Sequence, residues 1–327
     1  MHEAKGLIEA YYGIHILGIK PYRAGYILET SGGRKYIKAC QYQKERVEFI
    51  HQAKQHLISR NFSRIDPYCI AQNNKPYVEI DGNVYTMVNL IDGRECEFDD
   101  DRDVAMAAEA LALMHKAGHG FLPKDVKYVP SSLGKLPYSF KKRLEEIRKL
   151  RRKAEKERNG FDYLFIEHFD DFYKLGYDSL EILYGSKYNK LVEQTQKEGM
   201  ICHHDYSYQN IIIKGDKTFI INFDYCNLEL KIYDIVNMLR RRMRKCNWDI
   251  KKAKAILDVY RKIEPLEQDE MKVMKSMLLF PQKFWRIINR YYNSKRCWAQ
   301  KNFTIMLEEV INEKDAHIAF MKEFDKL

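Results

Sequence analysis

Long apolar runs are missing from this chain of 327 residues. No stretch approaches the ~18 consecutive apolar residues of a membrane-spanning helix, so a transmembrane segment is excluded. The opening residues Met1-His2-Glu3-Ala4-Lys5 lack a basic segment followed by an apolar run, so no secretory signal is expected. Proline and glycine are sparse, at 8 and 16 residues, which argues against long disordered or collagen-like tracts. The seven cysteines, Cys40, Cys69, Cys96, Cys202, Cys226, Cys246 and Cys297, are scattered, odd in number and never in a Cys-x-x-Cys pair. That pattern excludes a disulfide framework or thiolate zinc site and implies reduced thiols in a chain made in a cytosol. There is no internal repeat.

What is present is a substantial core and a heavily charged surface, with 45% hydrophobic and 31% charged residues. The length suits two lobes. Lys and Arg number 56 against 46 Asp and Glu, an excess of ten positive charges. The excess favours anionic partners such as a nucleotide or an acidic protein surface. It is not by itself a nucleic-acid signature, and neither nucleic acid nor a membrane is expected as a partner.

The first ninety residues read as strands around one helix. Apolar residues at 14–19 precede Tyr26-Ile27-Leu28, a Ser31-Gly32-Gly33 turn and Lys35-Tyr36-Ile37-Lys38-Ala39, which together signal a hairpin. Over 43–59, Val47, Phe49, Ile50, Ala53 and Leu57 give an amphipathic helix. Segments 76–80 and 84–90, flanking Asp81-Gly82-Asn83, predict a second hairpin. The acidic Glu97-Phe98-Asp99-Asp100-Asp101 then precedes an Ala-rich helix at about 102–116, the end at which a helix dipole favours carboxylates. A charged segment at 141–158, a helical stretch at 161–199, a strand–turn–strand unit at 201–226 and further helices over 232–327 follow.

The segment richest in chemistry is His203-His204-Asp205-Tyr206-Ser207-Tyr208-Gln209-Asn210, followed by the apolar Ile211-Ile212-Ile213, a turn at 214–217, and Phe219-Ile220-Ile221-Asn222-Phe223-Asp224. In kinase-type phosphoryl transfer an Asp orients the acceptor hydroxyl. An Asn five residues later reaches Mg²⁺, and a carboxylate at the end of the next strand holds the Mg²⁺ that bridges the phosphates.

This segment resembles the catalytic loop of aminoglycoside and choline kinases, which share the protein-kinase-like fold. Over nearly its full length the chain resembles CotS-type spore coat proteins. The likeness runs through Tyr12-Gly13-Ile14, Ile37-Lys38, residues 85–90 with Asp92-Gly93-Arg94-Glu95, Phe223-Asp224-Tyr225, Tyr233-Asp234, Phe280-Pro281 with Phe284-Trp285, and Tyr291-Tyr292. The resemblance implies a two-lobed α+β protein-kinase-like fold. Residues 1–92 would form a nucleotide-type lobe of five strands and one helix, and 93–327 a helical lobe carrying the hairpin 201–226.

By the same resemblance Asp205 matches the catalytic Asp and Asn210 a metal-binding Asn. Lys38 matches the lysine that grips the α/β-phosphates, with Glu48, or secondarily Glu45, as its ion-pair partner. Val88-Asn89-Leu90 matches the hinge whose backbone would bind adenine. Asp234 matches an acid that braces the catalytic loop. The Mg²⁺-binding carboxylate position holds Asn222, which keeps one oxygen ligand but loses a full negative charge. Asp224, two residues on and therefore on the same face of a strand, is the alternative ligand. The loop between the first two strands offers only Gly25, without a Gly-x-Gly-x-x-Gly pattern.

Plainer readings compete at several positions. His203 reads as a loop-holding residue, His204 as solvent-facing, and His115 and His119 as partners of helix-terminal carbonyls. The run at 141–158 reads as a solvated helix face. The cluster Arg240-Arg241-Arg242-Met243-Arg244-Lys245 reads as a helix C-terminal turn, or else as a dock for an acidic coat protein. The aromatics Phe280, Phe284, Trp285, Tyr291 and Tyr292 read as core. The 23 tyrosines also suit oxidative cross-linking in a spore shell.

The resemblance, with the retained Asp205, Asn210 and Lys38, implies two functions. The first is a spore coat component, made in the mother-cell cytoplasm, that binds other coat proteins and carries a degenerate phosphotransferase site. The second is an ATP- and Mg²⁺-dependent phosphotransferase acting on a small hydroxylated molecule or a coat protein.

Overall fold

A computed structural model describes residues 4–294 and 299–327. The thiol expected at Cys297 and the residues at 1–3 lie outside the described residues, and the remaining six cysteines are free thiols. No helix among the described residues is long and apolar enough to cross a membrane. The chain divides into two compact units, Met1–Ser131 with Glu198–Asp234, and Ser132–Lys197 with Ile235–Leu327.

The first unit opens with a helix the sequence pattern did not predict, α1 (Lys5–Tyr12). Strands β1 (Ile16–Tyr22), β2 (Gly25–Thr30) and β3 (Gly33–Ala39) follow, then helix α2 (Lys44–Ser59) and strands β4 (Val78–Ile80) and β5 (Asn83–Asn89). They build the expected five-stranded antiparallel sheet in the order β1-β2-β3-β5-β4. Helix α1 was missed because it is short and contributes only Ile8 and Tyr12 to the core, where they join Leu28, Ile37, Val78 and Met87. The β4–β5 turn is Asp81-Gly82, with both residues at positive φ as a two-residue hairpin requires. Gly25 answers a different need. A Cβ there would collide with the carbonyl of Ile37 on the neighbouring strand, next to Lys38.

After β5 the chain forms β6 (Arg94–Glu95) and α3 (Asp101–Gly118). Asp100 caps α3 by accepting from the Asp103 N–H, and Asp101 and Asp103 occupy its first turn, as the acidic cluster predicted. Strands β7 (Ile201–Cys202), β8 (Ile211–Lys214), β9 (Lys217–Ile220) and β10 (Asn227–Leu228) complete the unit. The predicted 201–226 hairpin is β8–β9, and β6 adds a third strand to it through Arg94↔Ile213 and Glu95↔Ile212. Ile65 also bridges to Ile220 of β9, and the hairpin and the N-terminal sheet fall in one compact unit.

The second unit is helical: α4 (Leu136–Glu157), α5 (Gly160–Tyr184), α6 (Tyr188–Glu198), α7 (Ile232–Met243), α8 (Ile250–Arg261), α9 (Gln268–Leu279), α10 (Gln282–Asn293), α11 (Gln300–Asn312) and α12 (Lys314–Glu323), with the start of α7 and the end of α6 belonging to the first unit. The charged run lies on α4, whose buried stripe of Phe140, Leu144, Ile147, Leu150 and Ala154 turns the charges to solvent. Asn159 and Asp162 form a reciprocal capping box that starts α5. Phe284 stacks on Phe172 at 4.1 Å and Phe280 on Phe140 at 4.1 Å, so both are core residues, while Trp285 is half-buried and donates its indole N–H to Glu146 at 2.7 Å. Arg240, Arg241 and Arg242 occupy the last turn of α7, the plainer of the two expectations for that cluster.

Candidate functional site

The residues singled out by the sequence converge within the first unit. Between β7 and β8 the loop is held from three sides. Asp234, fully buried, accepts the N–H of His203 at 2.6 Å on one carboxylate oxygen and that of His204 at 2.8 Å on the other. It therefore braces the loop as the resemblance implied. Burial pushes the Asp234 carboxyl up, but the hydrogen bond from His115 and the pull of His115, His203 and His204 leave it below the usual carboxylate range. His203 places Nε2 2.9 Å from the Ile221 carbonyl and accepts the Asp205 N–H on Nδ1 at 3.3 Å, consistent with a loop-holding role.

One histidine expectation needs correction. His204 is not solvent-facing: it lies half-buried at positive φ, stacked on Tyr233 at 3.9 Å. His115, on the fully buried face of α3, contacts Asp234 at 3.3 Å, a structural role. His115, Cys202 and Asp234 hold their ligand atoms within 4.8 Å of one another. The cluster is nevertheless a packing feature. Burial pushes the Cys202 thiol far up, and the thiol donates to the Glu229 and Leu230 carbonyls.

From this loop a chain of polar contacts runs to the sheet. The Asn210 amide donates to the backbone carbonyl of Asp205 at 2.9 Å and to its carboxylate at 2.8 Å. The Asn222 amide donates to Asn210 Oδ1 at 3.3 Å. Lys38, reaching from β3, donates to Asn222 Oδ1 at 2.8 Å and forms an ion pair with Asp224. Tyr42 donates to the other Asp224 oxygen at 2.9 Å, its phenol kept protonated chiefly by burial and further by the neighbouring carboxylate. Asn222 thus lies beside Asn210, whereas Asp224 turns toward Lys38 and Tyr42.

The expectation that Asn222 and Asp224 share a strand face is corrected. β9 ends at Ile220, Asn222 takes a left-handed conformation with φ 64°, and a single 3₁₀ turn (Phe223–Tyr225) follows. Both side chains reach Lys38 because the chain turns there, not because they alternate along a strand.

The expected Lys38–Glu48 ion pair is absent as well. Glu48 accepts from the Tyr77 hydroxyl at 3.3 Å, and the partners of Lys38 are Asn222 and Asp224. The α2 residue that faces the site is basic: Arg46 donates to the Asp224 carbonyl at 2.8 Å and to the Cys226 carbonyl at 3.2 Å. In the expected hinge, Val88 pairs with Tyr36 in the sheet ladder, and the Leu90 N–H donates to the Arg34 carbonyl at 3.0 Å. That N–H is committed within the chain.

Several residues of this network were not predicted. Lys54 on α2 is 1% exposed and lies 2.9 Å from Asp66, whose other carboxylate oxygen accepts the Asn222 N–H at 2.9 Å. Its signal was available: Lys54 follows Ile50 by four residues, on the apolar stripe, where a lysine needs a partner. Arg23, in the β1–β2 turn with φ 49°, donates to Glu95 at 2.5 Å and to the Gln209 carbonyl at 2.9 Å, tying that turn to the 203–210 loop. Nothing local in the sequence marks that contact, which spans 186 positions.

Comparison with known proteins sets this geometry in context. The family model described as "Spore coat putative kinase YutH" matches residues 5–324. Spore coat protein S of Bacillus subtilis is 24% identical, over 98% of this chain and 93% of the relative. Endospore coat-associated protein YutH of the same organism is 22% identical, over 97% and 91%. Among solved structures, an aminoglycoside phosphotransferase from Alicyclobacillus acidocaldarius superposes with a TM-score of 0.84 at 20% identity, covering 95% of this chain and 92% of that one. An AMP-bound spectinomycin phosphotransferase gives a TM-score of 0.67 at 14% identity, covering 97% and 98%. These likenesses establish the kinase-like fold expected from the sequence.

Proposed function

The chain belongs to the YutH family of kinase-like spore coat proteins, and on that premise we propose that it serves in the coat by binding and assembly, around a phosphotransferase site that has degenerated. Its partners are then other coat proteins. A nucleotide remains a candidate ligand, since the related folds include phosphotransferases solved with AMP or ADP.

The observation that carries this reading is the position of Lys38. A kinase-type magnesium site needs carboxylate oxygens whose charge is available to the ion. Of the three candidate ligands here, Asn210 and Asn222 are neutral amides. Asp224 already has one oxygen on the Lys38 ammonium and the other on the Tyr42 hydroxyl. The single formal negative charge of the set is balanced by a lysine, so these residues do not fit a resident divalent cation of the kinase kind.

A second reading has its own support. Asp205, Asn210 and Lys38 remain linked, and Asp234 braces the loop, which is the arrangement an active phosphotransferase uses to position an acceptor hydroxyl. Titration of the purified protein with ATP, with and without Mg²⁺, separates the two. The degenerate-site reading expects no magnesium-dependent rise in melting temperature and no phosphate transfer to hydroxylated acceptors or coat proteins. It also expects Asn222→Asp to create magnesium dependence. Magnesium-dependent transfer by the native chain, abolished by Asp205→Ala, overturns it.

A further inference from the structure

The second unit contains a basic cavity that the kinase comparison does not account for. It has a volume of about 180 Å³ and is bounded by the end of α7, the turn after it, the first turns of α10 and α12, and the end of α11. Its lining includes six cations, Arg240, Arg241, Arg244, Lys283, Arg286 and Lys314, against one carboxylate, Glu313. Arg241 and Arg286 are exposed, while the other four cations are half-buried. Glu313 is held by Arg244 at 2.9 Å and lies 3.6 Å from Lys283, which also meets Glu309 at 3.1 Å, and Lys314 pairs with Asp171, so the two lysines are matched within the chain and the four arginines are the lining cations that matter for an anion.

The buried wall carries a second, independent observation. Trp248 lines the cavity at 7% exposure, and its indole N–H is buried with no hydrogen-bond partner. A buried donor left unsatisfied is costly, and such groups recur where a ligand or ion completes them. The ring itself packs against His317, with centroids 4.1 Å apart and the planes tilted by 31°. Two helix N-termini border the space, those of α10 and α12, and an anion is favoured at such ends.

We infer that this cavity is a binding site for a small phosphate-bearing anion, held by the arginine side chains and by the Trp248 N–H. Four arginines among the lining residues suit an anionic group, and guanidinium forks match phosphate oxygens in pairs. The cavity is smaller than the ~300–1,000 Å³ of drug-sized ligand sites, so the ligand is phosphate itself or a short phosphate ester. An acidic protein surface reaches the exposed rim but not the buried indole, which argues for the small ligand over the protein dock. The site lies wholly in the second unit and stands or falls apart from any phosphotransferase activity.

The test is titration of the full chain with inorganic phosphate and with glycerol phosphate, at ionic strength held constant with chloride, followed by melting temperature and by calorimetry. A saturable rise with either phosphate, absent with acetate, is expected, and the better of the two identifies free phosphate or an ester as the ligand. Trp248→Phe removes the N–H together with part of the indole ring. It should lower the melting temperature in chloride, as a buried large-to-small change does, and, measured against that baseline, weaken phosphate binding by about tenfold. Arg241→Gln with Arg286→Gln, both at exposed positions, should weaken it similarly. No phosphate-dependent shift overturns the assignment, as does an equal shift in both variants. Binding of polyglutamate in the absence of phosphate binding overturns it in favour of the protein dock.

Discussion

The ammonium of Lys38 lies 2.8 Å from the amide oxygen of Asn222, so its hydrogen-bonding capacity is used within the chain. Its charge is matched by Asp224, and through Asn222 it joins the hydrogen-bonded pair Asp205 and Asn210. A residue used in this way is structural, and that has a measurable consequence.

Lys38→Met should destabilise the chain. It leaves the Asp224 carboxylate, 23% exposed at the side chain, against the Tyr42 hydroxyl without its lysine partner. A loss of about 1–3 kcal/mol in urea unfolding is expected. Asp224→Asn in the same chain should restore much of it, since the orphaned charge is then removed, and the double-mutant cycle reads the coupling directly. An unchanged midpoint in Lys38→Met shows that the pair holds nothing together.

Arg23→Gln probes a different contact. Arg23 joins the β1–β2 turn to Glu95 and to the Gln209 carbonyl, at the edge of the candidate site. Glu95 is exposed, so the ion pair contributes under ~1 kcal/mol to stability. The effect should appear locally instead. Backbone amides at 23–25 and 207–210 should exchange with solvent faster in the variant, while the rest of the unit stays protected. Identical exchange at both segments removes the latch.

Lys54→Met tests the support beneath Asn222. Lys54 and Asp66 are buried together, and Asp66 fixes the backbone of Asn222. Removing one partner of a buried pair typically costs ~3–5 kcal/mol, because the other charge stays behind in the interior. The cost should shrink when Asp66→Asn accompanies it. A surface-like effect of a few tenths of a kcal/mol would contradict the geometry.

The elements that were legible in the sequence are those with a strong local period or cap. Helix α2 showed its apolar stripe, α3 its acidic first turn, and β4–β5 its Asp-Gly turn. The Asp205–Asn210 spacing was legible too, because the loop that joins them is short enough to bring their side chains together at 2.8 Å. Partners across long separations were not. Lys38 and Asp224 are 186 positions apart, and composition does not say whether Lys38 meets Glu48 or Asp224. The helix register decides it, since Arg46 rather than Glu48 faces the 3₁₀ turn at Phe223–Tyr225. Asn222 and Asp224 were misjudged for a related reason: the i, i+2 rule holds only while the strand continues, and here it stops at Ile220.

The last prediction concerns pH. His317 lines the basic cavity, its ring tilted against Trp248, with Nε2 3.0 Å from the Leu278 carbonyl. Burial pushes its pKa down from 6.5 to about 4, outweighing the backbone hydrogen bond that favours the charged form. Between those two values the unfolded chain binds a proton that the folded chain refuses. Stability from this group is therefore complete above about 6.5 and is lost as pH falls toward about 4. The full span amounts to up to about 3 kcal/mol. His317→Gln should flatten the stability profile over that window in urea unfolding at stepped pH, whatever its effect at neutral pH. Parallel profiles for the two chains, offset by a constant, would mean that the ring titrates in the folded state much as it does in water, and that burial does not hold it neutral.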